Sequence, residues 1–282
     1  MKILLTCGSI NIKADQLQSI EYAAKYGFDA AEPQAVYLAS LSNTQIDDLT
    51  ADVKKRGLVW GGAGLTVDFR KDDAAFKNTL ADLPKQAQAL NRAGITRVGT
   101  WVSPSHDSLT YTANMNTHAT RLGECAKVLG DQGIRLGLEY IGPRTLWASR
   151  RYAFVHNMAE MRDLLAAINK PNVGFVLDSW HWYTAGETTA DLRTLTNKEI
   201  ISCDLNDAPL NVPIDQQVDS RRELPLATGV IDLTGFLNTL NEINYDGPIR
   251  CEPFNATLRA MTPEQILPVV IASMRKAFAL VR

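Results

Sequence analysis

Apolar residues recur along this chain in two alternating rhythms. Some segments carry them three and four residues apart, such as Leu17, Ile20 and Ala24 or Leu122, Ala126 and Leu129, and read as amphipathic helices with one stripe facing a core. These segments give way, at a glycine, to short and almost wholly apolar runs. The junctions are Tyr26-Gly27-Phe28, Arg56-Gly57-Leu58, Ala93-Gly94-Ile95, Gln132-Gly133-Ile134 and Asp246-Gly247-Pro248. A glycine so placed caps the helix in a left-handed conformation and lets the chain turn straight into a strand. Two further runs start from other turns, at Pro171-Asn172 and Asn197-Lys198. The predicted strands cover about 2–7, 28–33, 58–62, 95–101, 134–140, 173–178, 200–205 and 248–252. The last helix opens on a capping box, Thr262-Pro263-Glu264-Gln265.

Regular alternation of strand and helix predicts a parallel sheet. Eight such units, with no Pro/Ser-rich linker or shift in composition, predict one α/β domain over residues 1–282, a closed (β/α)8 TIM barrel. An open doubly wound sheet is the alternative. Gly61-Gly62-Ala63-Gly64 lacks the full dinucleotide fingerprint and reads as a tight turn. The barrel has a functional corollary: catalytic groups belong at the carboxyl ends of its strands and in the loops that follow.

Composition narrows the classes. With 45% hydrophobic and 21% charged residues the chain can pack a core, so disorder is excluded. Twenty-nine Lys and Arg against 31 Asp and Glu leave a charge of -2, too balanced for a footprint on nucleic acid or anionic lipid. No apolar run approaches the roughly 18 residues of a membrane span, and Met1 to Cys7 is too short for a lipoprotein signal. The cysteines Cys7, Cys125, Cys203 and Cys251 form no Cys-x-x-Cys pair and read as small buried thiols in a reducing cytoplasm. The sequon at Asn255 then has no consequence, and a homo-oligomer is compatible with everything above.

Four consecutive strands end on an acid: Leu138-Glu139-Tyr140, Leu177-Asp178, Cys203-Asp204 and Cys251-Glu252. Side chains alternate across a strand. Leu136 and Leu138, Phe175 and Leu177, and Cys203 and Leu205 therefore face the helices. Gly137 and Glu139, Val176 and Asp178, Ser202 and Asp204, and Arg250 and Glu252 face the barrel axis. A lone strand-end acid usually caps the next helix, but four unpaired carboxylates converging on one axis repel and call for a cation or trapped protons. All-oxygen ligation by Glu139, Asp178, Asp204 and Glu252 favours Mn2+ or Mg2+ over Zn2+ or Co2+.

At these residues the chain resembles the xylose isomerase-like TIM barrels, the sugar phosphate isomerase/epimerase group that includes the D-tagatose and L-ribulose 3-epimerases. The resemblance spans essentially the whole chain. It rests on Glu139-Tyr140, Asp178-x-x-His181, Asn206-Asp207, Thr228-Gly229-Val230-Ile231-Asp232 and Cys251-Glu252-Pro253-Phe254. It implies Glu139, Asp178 and Glu252 as metal ligands, the two glutamates also as the acid/base pair, and His181 as a substrate contact. Strand 7 in that family usually carries a ligand histidine in His-x-x-Asp; here the matching residue of Asp204-Leu205-Asn206-Asp207 is an aspartate. That substitution makes the site more negative and sets the chain in a divergent branch.

The reaction implied binds a small keto-sugar and removes the proton beside its carbonyl to give an enediolate. Return of the proton to the opposite face makes an epimer, and its transfer between oxygens and carbon makes an aldose-ketose isomer. Departure of a β group makes the enzyme a lyase, for instance on 3-keto-glycosides. The segment from Asn206 to Gly229 is too irregular for a barrel helix and reads as a substrate loop, with Arg221 and Arg222 as candidates to hold sugar oxygens. His156, Trp101 and Glu32 are further substrate-side candidates, and His106 and His118 weaker ones. Trp60, Trp180 and Trp182 are candidate stacking or wall residues whose default is packing. Two other classes share the fold: an endonuclease IV-like DNA-repair enzyme, opposed by only four histidines and the balanced charge, and an inactive sugar-binding barrel, opposed by the intact Glu139 and Glu252 pair.

Overall fold

A computed structural model describes residues 1–282. Eight parallel strands surround one axis: β1 Lys2–Leu5, β2 Ala30–Ala31, β3 in two pieces Val59–Trp60 and Ala63–Gly64, β4 Arg97–Trp101, β5 Arg135–Glu139, β6 Val173–Asp178, β7 Ile200–Leu205 and β8 Pro248–Cys251. The first piece of β3 pairs with β2 and the second with β4, while β1 pairs with β8. Both edges of the sheet thus belong to one strand, and the barrel is closed. The glycines read as a tight turn instead interrupt this strand. The Leu4 side chain fills the space a Cβ on Gly61 would need.

Helices alternate with the strands and begin where the sequence supplies an acceptor. Asp15, Asp72, Thr110 and Asn157 each accept a backbone N–H of the first turn, and Thr262 with Gln265 forms the predicted box. Gly27, Gly57, Gly94 and Gly133 adopt φ of 67–77° and end their helices as expected. Gly247 does not. The helix before it, Leu233–Glu242, is followed by Asn244 at φ 56°, and Gly247 is fixed by space, because a Cβ there would run into the Tyr245 ring and the Arg97 guanidinium. The predicted outward residues Leu136, Leu138, Phe175, Leu177, Cys203 and Leu205 are all buried in the strand–helix core.

Two features build up the carboxyl face. An antiparallel ribbon pairs Ser105–His106 with Tyr152–Ala153. The long loop after β7 is closed at its base by the buried Asp207 carboxylate, which accepts backbone N–H groups of Ala208, Thr228, Gly229 and Ile231 at 2.7–3.0 Å. No helix is long and apolar enough to cross a membrane.

Candidate active site

The four strand-end acids meet at the top of the axis, each offering an oxygen within 4.8 Å of the others. Strand pairing explains it: Asp204 is the Cα partner of both Asp178 and Arg250. The acids are not left unpaired, which revises the premise of mutual repulsion. Arg222, on the loop after β7, reaches in with Nη1 donating to Asp178 Oδ2 at 2.7 Å and Glu252 Oε2 at 3.2 Å, and Nη2 donating to Asp219 Oδ1 at 2.7 Å. Arg250 forks onto Asp204, Nε to Oδ1 at 2.6 Å and Nη2 to Oδ2 at 2.8 Å, with Glu252 Oε1 3.4 Å away. Asp178 Oδ1 also accepts from Trp180 N and Asn206 Nδ2, so it caps the short helix Ser179–Thr184 as well as joining the cluster.

Glu139 alone lacks such a partner: its Oε1 is buried with no hydrogen bond. Burial, then Asp204, Glu252 and Asp178, push its carboxyl well above the ordinary range, with Arg222 opposing. Burial likewise raises Glu252 to about 7 against the pull of Arg250 and Arg222, with Asp204 and Asp178 adding to the rise. His181 is held neutral by burial and by Arg222. Gly142 N–H faces its Nδ1 at 3.2 Å and Arg222 Nη2 faces its Nε2 at 3.1 Å. A neutral imidazole accepts at one nitrogen only, so one of these donors is not satisfied by the ring.

The set suits a divalent ion. Opposed oxygen ligands at about 2.0–2.6 Å from a hard cation stand about 4–5 Å apart, which matches the cluster. Four carboxylates against two guanidiniums leave excess negative charge, and the orphaned Glu139 oxygen is an open ligand atom. His181, spaced to join Glu139 and Asp178 in a second grouping, has its Nε2 turned to Arg222 instead.

Two cavities open from the cluster and share Trp101, Glu139, Arg250 and Glu252. An outer cleft of about 430 Å³ runs under the ribbon past Ser103, Ser149, Arg150, Arg222 and Phe254. An inner one of about 260 Å³ runs past Arg70, Thr100, Glu32, Ser202 and Asp204. Trp101 stands at their junction, 45% exposed. Glu32 faces the inner cavity, its carboxyl raised to about 7 by burial, with Arg250 opposing and Asp204 adding to the rise.

Other candidates lie elsewhere. Arg221 is exposed on the loop, outside both cavities. His156 stacks on Trp147 at 4.6 Å and contacts Glu160, which with the Phe154 carbonyl raises its pKa against burial; it lines neither cavity. Trp180 and Trp182 are buried, the latter against Phe236. Trp60 sits at the opposite end of the barrel beside Lys2 and Asp246, so it walls no part of this site. His118 is buried beside Phe69 and Phe154, and His106 binds Ser108 and Leu109 amides within the ribbon.

Sequence reasoning passed over Arg70 and the ion pairing of Arg250, quoted Asn206 without a role, and offered Asp219 only as a surface ion-pair partner of Arg221 or Arg222, a pairing Arg222 makes while buried. The Arg250 pairing was legible: Arg250 is two residues before Glu252 and so on the same face. Asn206 donates to Asp178 and accepts from Glu252 N at 3.0 Å, tying β6 to β8.

A family model described as xylose isomerase-like TIM barrel matches residues 20–277. The chain is 21% identical to an inosose isomerase of Bacillus velezensis over 253 residues, 89% of this chain and 87% of that one. It is 29% identical to a 3-dehydroshikimate dehydratase of Pseudomonas aeruginosa over 157 residues, 51% of this chain and 23% of the relative. Among solved structures, a xylose isomerase domain protein from Alicyclobacillus acidocaldarius superposes with a TM-score of 0.86 at 30% identity, covering 99% of both chains. The IolI protein, solved with a zinc atom, superposes with a TM-score of 0.79 at 20% identity over 99% of this chain and 98% of its own.

Proposed function

Since the chain belongs to the xylose isomerase-like TIM barrel family, we propose that it is a divalent-metal-dependent isomerase or epimerase of a keto-sugar or cyclic polyol ketone. The observation that carries this reading is the pair Glu139 and Glu252, the first buried and the second largely so, both with raised pKa at the junction of two cavities. Glu139, Asp178, Asp204 and Glu252 are the ligands, and their all-oxygen set favours Mn2+ or Mg2+. When bound, such an ion draws charge from the substrate oxygens and acidifies the neighbouring C–H.

Glu252, whose carboxyl is raised by burial and lies at the junction of the two cavities, is suited to take that proton from carbon. Glu139 gives its own proton to the opposite face to make the epimer, or Glu252, after exchange with solvent, returns a proton to the former carbonyl carbon while the neighbouring hydroxyl's proton passes to the former carbonyl oxygen, which makes the aldose-ketose isomer. Arg222 lines the outer cleft, where its positive charge favours the enediolate, while Asp178, Glu252 and Asp219 hold its guanidinium in place. The loop after β7 excludes water by placing Arg222 over the acids. Four buried, unpaired cysteines suit a cytoplasmic enzyme, and the near-neutral net charge favours a small-molecule substrate over nucleic acid.

Elimination is the second reading, supported by the local match to a dehydratase. The same base takes the proton beside the carbonyl, and the β-hydroxyl leaves as water with a proton from the other glutamate. Incubation with inososes, ketohexoses and 3-keto-glycosides in D2O separates the two. Solvent deuterium in recovered ketone or its isomer supports the proposal, loss of water or an aglycone supports elimination, and neither exchange nor loss on any of them refutes both. Metal analysis of the purified chain should find about one Mn or Mg per chain, reduced in Asp178→Asn.

A further inference from the structure

The two cavities contain five arginines between them, and four are matched to acids. Arg97 pairs with Asp246 at 2.6 Å, Arg222 with Asp178, Arg250 with Asp204, and Arg150 lies 3.9 Å from Asp107. Arg70 has no carboxylate within 4.0 Å, although it lines the inner cavity together with Glu139, Asp204 and Glu252.

Its side chain is nevertheless held. Nη1 donates to Thr100 Oγ1 and to the Trp101 carbonyl, and the guanidinium lies 4.1 Å from the Trp101 ring centroid and 4.5 Å from that of Phe69. Stacking and two acceptors fix the plane of the group while Nε and Nη2 keep their donors free, which is the arrangement that recognises a planar anion at low entropic cost. The position is right for a substrate. Trp101 is the Cα partner of Glu139, so the Arg70 guanidinium is held against the strand next to the one that carries the proposed acid/base residue, and both line the same cavity.

We propose that Arg70 is a specificity-determining residue, and that the substrate is a polyhydroxy ketone carrying an anionic group, a carboxylate or a phosphate, at the end remote from its reacting carbon. The inference rests on the proposed reaction for the orientation of that substrate, but anion recognition is measurable without turnover. The anion meets Arg70 on the rim, and the uncharged hydroxyl-bearing part enters the acid cluster, where a second negative group would be repelled. This division of charge gives the substrate one direction of entry.

The test is calorimetric titration of the Mn2+-loaded full chain with 5-keto-D-gluconate and with L-sorbose, a neutral ketose that differs in lacking the terminal carboxylate. The acid should bind at least about tenfold more tightly, and the gap should narrow as salt is raised. Arg70→Met should bring the acid down to the affinity of the ketose, while Arg70→Lys, which keeps the charge and loses the fork, should retain part of the gap. Fructose 6-phosphate against fructose repeats the comparison with the other anion. Equal affinities within both pairs, a gap that survives in Arg70→Met, or binding of no probe would overturn the proposal. Arg70-dependent anion binding without deuterium exchange would leave it standing and refute the proposed reaction instead.

Discussion

Replacing Arg250 by Met leaves the Asp204 carboxylate, wholly buried, without its cation. The two donors lost are charge-assisted, at 2.6 and 2.8 Å, and each such bond contributes roughly 1.5–3 kcal/mol. Orphaning a buried partner costs about 3–5 kcal/mol. With an unfolding entropy of about 2.1 cal/mol/K per residue, a chain of this length has about 0.6 kcal/mol/K, so Arg250→Met should lower the melting temperature by about 5–8 °C. Asp204→Asn should cost less, about 2–3 kcal/mol, because the Arg250 side chain is 27% exposed and keeps part of its hydration. The double variant should lose about as much as one single change, a coupling of about 2–3 kcal/mol. The assay is thermal unfolding of chelator-treated protein, followed by circular dichroism. An Arg250→Met protein melting within about 1 °C of the parent, or a double variant that loses the sum of the two singles, would refute this account of how the cluster is held.

Asp207→Asn puts an amide NH2 where a carboxylate oxygen accepted two backbone N–H groups, so the base of the Arg222 loop should open at a cost of about 2–4 kcal/mol. Limited trypsin digestion should then cut at Arg221 or Arg222 at least about tenfold faster than in the parent, and an unchanged digestion rate would contradict the anchoring role. Glu32, raised by burial from 4.5 to about 7, binds its proton more tightly folded than unfolded. Its contribution to stability is therefore full below pH about 4.5 and is lost as pH rises to about 7, up to about 3 kcal/mol. Denaturant titrations of metal-free Glu32→Gln should show a shallower loss over that window, and a slope equal to the parent's would count against a buried, ionising Glu32.

The architecture was legible because each unit announced itself twice, by a helical stripe and by the residue that stopped it. Where the prediction missed, a different force had chosen the residue: crowding by Tyr245 and Arg97 at Gly247, and the Leu4 side chain against Gly61. The acid cluster was legible because a strand has a period of two, so Glu139, Asp178, Asp204 and Glu252 had to share the axis. The same period placed Arg250 among them, but its consequence, two guanidiniums in a site read as four unpaired acids, needs the pairing of β7 with β8. Loop residues carry no such period. Nothing in the spacing of Arg221 and Arg222 says which reaches the acids, nor that Arg70 stacks on Trp101 while His156 turns to Trp147 and Glu160.

The central claim is that Glu139 and Glu252 move a proton at the carbon beside a carbonyl. Its most direct measurement is the rate at which solvent deuterium enters that carbon of the ketone the enzyme turns over, read by NMR for the parent, Glu139→Gln and Glu252→Gln, each confirmed to be folded by its melting curve. The account predicts incorporation at one carbon in the parent and a fall of about 10²–10⁴-fold in both variants. Exchange at the parental rate in either variant, or turnover by the parent with no deuterium in product or recovered substrate, would contradict it.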